Sequence, residues 1–246
     1  MSRRTALVTG GIGGIGTQVC RRLAAAGHLV IASDLPASAE RLAQFVDSVA
    51  GLDVRFEAAD VSRMADCENL VQRIQDNYGG VDILVNGAGI TRDVSLRKMS
   101  SEQWQEVLRV NLDSVFNLCR LLADGMCTRG FGRIVNISSI IGQTGAFGQS
   151  NYAAAKAGMH GFTMALAREL AAKGVTVNSV SPGYIDTPMT AAIPEALRTQ
   201  MIAAIPVGRI GGPEDVAHAI AFLCAEESGY LTGLNLPVNG GLFMSF

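Results

Sequence analysis

Charged and metal-ligating side chains are sparse in this chain, and it has no long apolar run. Each lack removes a class of function. Asp, Glu, Lys and Arg together make 17% of the 246 residues and nearly cancel, leaving a net charge of −2. That balance supplies no excess of basic residues to hold a phosphate backbone, so no nucleic-acid partner is expected. Three histidines (His28, His160, His218) and five cysteines (Cys20, Cys67, Cys119, Cys127, Cys224) are scattered, without C-x-x-C or other ligand spacing. No metal site is expected, and an odd number of dispersed thiols fits a reducing compartment. No apolar stretch is long enough to span a bilayer, and after Met1-Ser2-Arg3-Arg4 a strand pattern begins with no sign of a signal peptide. The expected location is the cytoplasm, with no membrane partner.

What the chain does have is apolar content, 48% hydrophobic, enough for one large α/β core and too much for disorder. The rest is organised around Ser138–Lys156, S-S-I-I-G-Q-T-G-A-F-G-Q-S-N-Y-A-A-A-K. Tyr152 and Lys156 stand four residues apart at the start of a helical pattern, so they share a face. An ammonium beside a phenol favours the phenolate, which predicts a Tyr152 that exchanges its proton nearer neutrality than the usual ~10. Ser139 follows the apolar run Arg133–Ile137, where a strand ends, so its hydroxyl and the Tyr/Lys pair can converge on one carbonyl. The Y-x-x-x-K spacing alone is common by chance, and its weight comes from the rest of the chain.

In chain order, Thr5–Thr9 is a short strand followed at once by G-G-I-G-G-I-G and then a helix through Val19, Leu23 and Ala26, stopped by Gly27. A strand, a glycine turn and a helix in succession form the setting for a dinucleotide pyrophosphate, with Gly10, Gly11, Ile12, Gly14, Ile15 and Gly16 as candidates to hold it. His28–Ser33 is a second strand. Asp34 at its end is placed for the adenosine ribose hydroxyls, although it could instead cap a turn or the next helix. Arg41, within that helix, is expected to face solvent. A third strand, Val54–Ala59, ends at Asp60-Val61, and an amphipathic helix carries Cys67, Leu70, Val71 and Ile74. Asp82–Val85 is strand four, closed by Asn86-Gly87-Ala88-Gly89. Ser101–Gly125 is expected to be one helix, with Asn111 a polar residue among apolar neighbours. Strand five is Arg133–Ile137, the Tyr152 helix runs to about 172, and strand six is Val175–Val180, ending in Ser181-Pro182-Gly183. Residues 187–210 read as a small substrate lid or, equally, a packed connector. Pro213 opens the last helix and Leu234–Val238 is the last strand. This alternation predicts a single-domain, Rossmann-type, doubly wound parallel sheet of about seven strands with helices on both faces.

These motifs together resemble the short-chain dehydrogenase/reductase family over essentially the whole chain. The matching residues are Thr9-Gly10-x-x-x-Gly14-x-Gly16, Asp60, Asn86-x-Ala88-Gly89, Asn111, Ser139, Tyr152-x-x-x-Lys156 and Pro182-Gly183. The resemblance implies a catalytic set of Asn111, Ser139, Tyr152 and Lys156. In it Tyr152 is the general acid, Lys156 lowers its pKa and holds the nicotinamide ribose, Ser139 donates to the developing alkoxide, and Asn111 anchors a relay water. It adds Asp60, Val61, Asn86, Gly87, Ala88, Gly89, Tyr152, Lys156, Pro182, Gly183, Ile185 and Thr187 to the cofactor residues. Gly87 stands where the family usually has a second Asn. Left to their local surroundings, Ser139 could merely cap a turn and Asn111 could merely bond backbone.

Within the family the chain is most similar to acetoacetyl-CoA reductases, and next to 3-oxoacyl-acyl-carrier-protein reductases. The resemblance makes Ser139, Phe147, Gln149, Tyr152 and Tyr184 the substrate residues, with Ala146 and Asp186 departing from the pattern. The implied activity is hydride transfer to a short 3-oxoacyl thioester, with acyl-carrier-protein reduction or a free alcohol or ketone as alternatives. A dinucleotide sensor without turnover is the remaining reading. Arg129 and Lys173 are candidates to meet an acidic carrier protein. Asp34 predicts NAD(H) over NADP(H). Apolar residues on the two long helices (Val115, Phe116, Leu118, Leu121; Met159, Phe162, Met164) suggest a homo-oligomer, and the relatives suggest a tetramer.

Overall fold

The structure is a computed structural model that describes residues 3–187 and 195–244. Seven strands, β1 (Thr5–Thr9), β2 (Leu29–Asp34), β3 (Val54–Ala58), β4 (Ile83–Asn86), β5 (Gly132–Ile137), β6 (Val175–Pro182) and β7 (Asn235–Val238), form one sheet in the order β3-β2-β1-β4-β5-β6-β7. Every neighbouring pair is parallel. Parallel strands need a crossover between them, and the helices provide it: α1 (Gly14–Ala25), α2 (Ala39–Ser48), α3 (Met64–Tyr78), α4 (Ser101–Leu108), α5 (Ser114–Arg129), α6 (Ile141–Thr144), α7 (Ser150–Leu170), α8 (Glu195–Ala204) and α9 (Pro213–Cys224). Two cores result. Ala6 and Val8 of β1 face α1, α2 and α9 through Val19, Leu23, Phe45, Val216 and Ile220. Leu7, pointing the other way, joins α3, α5 and α7 through Leu70, Ile74, Leu118, Met126 and Met159. Burial on both faces explains why the strands read as unbroken apolar runs instead of alternating. The edge strands are the exceptions: β3 carries Arg55 and Glu57 on an open flank, and β7 is half-buried throughout.

The chain winds outward from β1 to β3, then returns to place β4 on the other side of β1. That reversal opens a crevice beyond the carboxyl ends of β1 and β4. Two differences from the sequence expectation matter for it. Ser101–Gly125 is not one helix: a π-turn at Arg109–Asp113 separates α4 from α5, with Asn111 in its middle. One extra residue per turn rotates the following helix and turns Asn111 inward, fully buried. Of the apolar residues proposed for an interface, Val115, Leu118 and Met159 belong to this chain's own core, while Phe116 and Met164 are the exposed large ones. No helix among the described residues is long and apolar enough to cross a membrane.

Candidate active site

The turn after β1 and the turn after β4 interlock. Gly10 has φ +63°, and a Cβ there would meet the Gly87 carbonyl oxygen at 2.7 Å. Thr9 Oγ1 accepts the Gly87 and Ala88 N–H groups at 3.0 and 3.2 Å. Gly87, the departure from the family pattern, sits where a Cβ would be 2.8 Å from the Thr9 carbonyl oxygen. α1 starts behind Gly13, which offers no side-chain cap, and has no acidic residue in its first turn, so its leading N–H groups and positive dipole end face the crevice. A Cβ on Gly16 would lie 2.1 Å from the Gly10 carbonyl oxygen, well inside contact distance. Gly16→Ala is therefore expected to push the turn apart and weaken dinucleotide binding by about tenfold or more, the equivalent of ~1.4 kcal/mol. Titration of nicotinamide fluorescence checks this, and unchanged affinity would contradict it.

One cavity of about 1200 Å³ runs from Asp34 past Asp60 and Val61, under Gly87–Gly89, to Ser139, Tyr152 and Lys156, and on to Pro182–Thr187. Most of the residues expected from sequence line it, including Gly10, Ile12, Gly14, Ile15, Gly16 and Tyr184. Gly11 does not: it lies beneath the turn, where its N–H reaches the Ser33 carbonyl at 3.0 Å. Asn86 is also off the wall, buried and donating to Asn136 Oδ1 at 2.8 Å. Phe147 and Gln149 are absent from the lining as well. Phe147 is 96% exposed, and Gln149 donates to Asp93 Oδ2 at 2.8 Å. The loop carrying them is held outward by a Val94 N–H to Gly148 carbonyl bond, a long-range pairing that sequence does not encode locally.

At the inner end, Ser139 Oγ accepts the Ile141 N–H at 3.1 Å, so it does cap a turn, and its hydroxyl lies near the Tyr152 phenol. Burial pushes the Tyr152 phenol above its ordinary value, the Ser139 hydroxyl pulls it down, and the Asp93 carboxylate adds to the rise. This reverses the expected shift toward neutrality. Burial is the largest cause, and the Lys156 ammonium is engaged elsewhere: its Nζ donates to the Ile137 carbonyl at 2.7 Å and sits 5.6 Å from the Tyr152 ring centre. Lys156 is itself buried, and desolvation lowers it from 10.5 to about 8. Asn111 Nδ2 donates to the Ile90 and Val107 carbonyls, both at 2.9 Å, while its Oδ1 is buried without a partner. That Oδ1 lies 2.7 Å from where a Cβ on Gly89 would be, with Lys156 Nζ 3.6 Å from the same point. An unsatisfied acceptor beside an ammonium, under a glycine that leaves room, suits a bridging water. The glycine cradle, the free helix end and the Asp34 carboxylate fit a dinucleotide.

Because Lys156 holds its proton less tightly folded than unfolded, the unfolded chain carries more protons between pH 8 and 10.5. Stability should rise with pH across that window by about 3 kcal/mol from this group. The buried thiols Cys20, Cys67, Cys119 and Cys224, raised from 9.0 to about 12, act oppositely above pH 9. Their contribution cancels when native protein and Lys156→Met are compared by urea midpoint at each pH. A difference that does not vary with pH would contradict the assignment.

At the outer end the structure adds residues that sequence reading did not find. Arg41 is exposed, as expected, but it also lines the cavity, with Nη2 3.8 Å from Asp34 Oδ2. Ser38 sets this up by capping α2 through the Arg41 N–H at 3.3 Å. The S-A-E-R order could have signalled the cap, but not the direction of the guanidinium. Asp34 also accepts the Leu35 N–H at 2.9 Å, so it caps a turn and still faces the cavity. Arg92 and Glu106 form a two-pronged ion pair on the rim, at 2.8 and 2.7 Å. Arg129 is engaged by Asp82 and the Val81 carbonyl, away from the cavity, while Lys173 is exposed. Asp186 is paired with Arg198 of α8 at 3.0 Å. Residues 188–194 of the expected lid lie outside the described residues.

Comparison with known proteins accords with this geometry. The family model described as Enoyl-(Acyl carrier protein) reductase matches residues 10–243. An acetoacetyl-CoA reductase of Allochromatium vinosum is 56% identical over 98% of this chain and 99% of its own length. One of Cupriavidus necator is 49% identical over 99% of this chain and 100% of its own. A 3-oxoacyl-[acyl-carrier-protein] reductase of Vibrio cholerae is 45% identical over 98% of each.

Proposed function

Given that the chain belongs to the short-chain dehydrogenase/reductase family, we propose that this enzyme reduces the 3-keto group of a short 3-oxoacyl-CoA, foremost acetoacetyl-CoA to 3-hydroxybutyryl-CoA, with NAD(H) preferred. The observation that carries the reading is the convergence of Ser139, Tyr152 and Lys156 at the inner end of a dinucleotide-sized cavity whose outer end holds Asp34. A bound nicotinamide would supply the hydride. Ser139 and Tyr152 would hydrogen-bond the carbonyl oxygen, and Tyr152 would give its proton to that oxygen to yield the alcohol. A phenol raised by burial stays protonated at neutral pH, which suits an acid. Lys156 and the acceptor of Asn111 would return the proton through water. Tyr184 on the wall would limit the acyl chain, while the exposed Phe147 would have to close inward to touch it. The α8 segment beyond Asp186 would serve as a lid.

Acyl-carrier-protein reduction is the second reading, favoured by the relatives at 45% identity. The engagement of Arg129 with Asp82 weighs against it by removing one cation from the face an acidic carrier would meet. Initial rates with acetoacetyl-CoA, an acetoacetyl carrier protein and free ketones test the choice, and a higher kcat/KM for the carrier protein would overturn the CoA assignment. We further infer a cytoplasmic homotetramer. Exposed Phe116 and Met164 on α5 and α7, with Phe222 and Tyr230 on and beyond α9, supply two apolar faces. Sedimentation at micromolar concentration should show no stable monomer.

A further inference from the structure

Asn151 precedes Tyr152 and is fully buried, although it is an amide at the first turn of a helix whose cap, Gln149, makes no side-chain capping bond. Its side chain is fully employed. Oδ1 accepts the Tyr152 backbone N–H at 2.8 Å, and Nδ2 donates to the Arg92 carbonyl at 3.3 Å and the Gln103 carbonyl at 3.4 Å. These three partners lie on three separate pieces of chain: α7, the loop after β4, and α4. Two more bonds run beside them, from the Val94 N–H to the Gly148 carbonyl and from Gln149 Nε2 to Asp93 Oδ2, both at 2.8 Å. The segment leading into Tyr152 is thus stitched to residues 92–94 along its length, and Asn151 is the innermost stitch and the buried one. The same loop is tied to α4 again by the Arg92–Glu106 ion pair at the cavity rim.

We propose that Asn151 is a positioning residue for the reaction: it fixes the start of α7 against the cavity's rim and so sets where the Tyr152 oxygen stands relative to Ser139. Asn151 does not line the cavity, so it acts through Tyr152. An amide is required because the site needs one acceptor and two donor hydrogens, and Asn supplies both from one short side chain. The inference rests on Tyr152 being the acid.

The test is steady-state kinetics of Asn151→Ala and Asn151→Asp with acetoacetyl-CoA, alongside fluorescence titration of NADH and the Tyr152→Phe control. A displacement of the acid by an ångström or less is expected to lower kcat by about 10- to 100-fold in Asn151→Ala, with KM and NADH affinity little changed. Asn151→Asp adds a signature that mere loosening would lack. An ionised Asp can accept from Tyr152 but cannot donate to the Arg92 and Gln103 carbonyls, whereas a protonated one can donate once. Its kcat relative to Asn151→Ala should therefore rise as pH falls. Asp93, Arg92 and Glu106 from the loop and α4, and Lys156 and His160 from α7, face the site in both variants, so what they contribute cancels in that ratio. If Asn151→Asp does not fold, the kcat-against-KM split in Asn151→Ala decides alone. Native kcat in Asn151→Ala, or a loss shared equally by kcat and NADH affinity, would overturn the proposal. A Tyr152→Phe variant that still turns over would instead overturn the acid assignment on which it stands.

Discussion

Tyr152→Phe is expected to lose about three orders of magnitude or more in turnover while still binding dinucleotide. Phe keeps the ring, so the contacts that bury Tyr152 and seat the start of α7 survive. Only the hydroxyl, with its proton, goes. Among the described residues the cavity offers no equivalent acid close by: Lys156 is turned to the Ile137 carbonyl, and Ser139 is far too weak an acid to protonate an alkoxide by itself. The direction of the Tyr152 shift adds a second, signed expectation. Since burial raises the phenol, ketone reduction should stay supplied with acid well above neutral pH. Alcohol oxidation needs the phenolate, so its rate should climb with pH. Near-native turnover in Tyr152→Phe, or an oxidation rate that falls between pH 7 and 9, would sink this mechanism.

Asp34→Ala should shift the ratio of kcat/KM for NADH over NADPH toward NADPH by about a hundredfold, or ~2.8 kcal/mol. In the native chain the Asp34 carboxylate faces the cavity at the end of β2, where it can accept from both ribose hydroxyls and would meet a 2′-phosphate with like charge. Arg41 changes the size of this effect but not its sign. At 3.8 Å it is a long, half-exposed partner, and water screens much of what it offers. It tempers the repulsion in the native protein. Once Asp34 is gone it is released beside the phosphate position, so the variant should accept NADPH outright and not merely lose NADH. Comparable kcat/KM for the two dinucleotides in the unmodified protein would show that Asp34 does not select between them.

The residues that announce themselves in the sequence do so because their chemistry is local. A glycine turn between a strand and a helix, an acid at a strand's end and a Tyr/Lys pair one helical turn apart are each satisfied within a few residues. Their positions along the strands and helices then follow from periodicity. The strands were legible for the same reason: in a parallel sheet covered on both faces, each inner strand is a short apolar run bounded by turn residues. The strand order was not legible, since that is a matter of which crossovers pack.

What only the tertiary structure decided lies wherever distant segments meet. The π-turn that buries Asn111 leaves no mark in a helical hydrophobic pattern. The direction of Arg41 depends on a cap at Ser38 and a carboxylate seven residues back. Phe147 looks like a pocket residue until the 92–94 loop is found holding its segment outward. Charge–charge proximity along a helix suggested a lowered Tyr152 pKa. Burial, a product of the fold around α7, reversed it, while the Lys156 ammonium was taken up by the Ile137 carbonyl. Sequence determined which groups are present and which share a face, because those depend on covalent spacing. The fold decided their protonation, their orientation and their second partners, because these depend on the solvent excluded and the backbone brought near by residues far away in the chain.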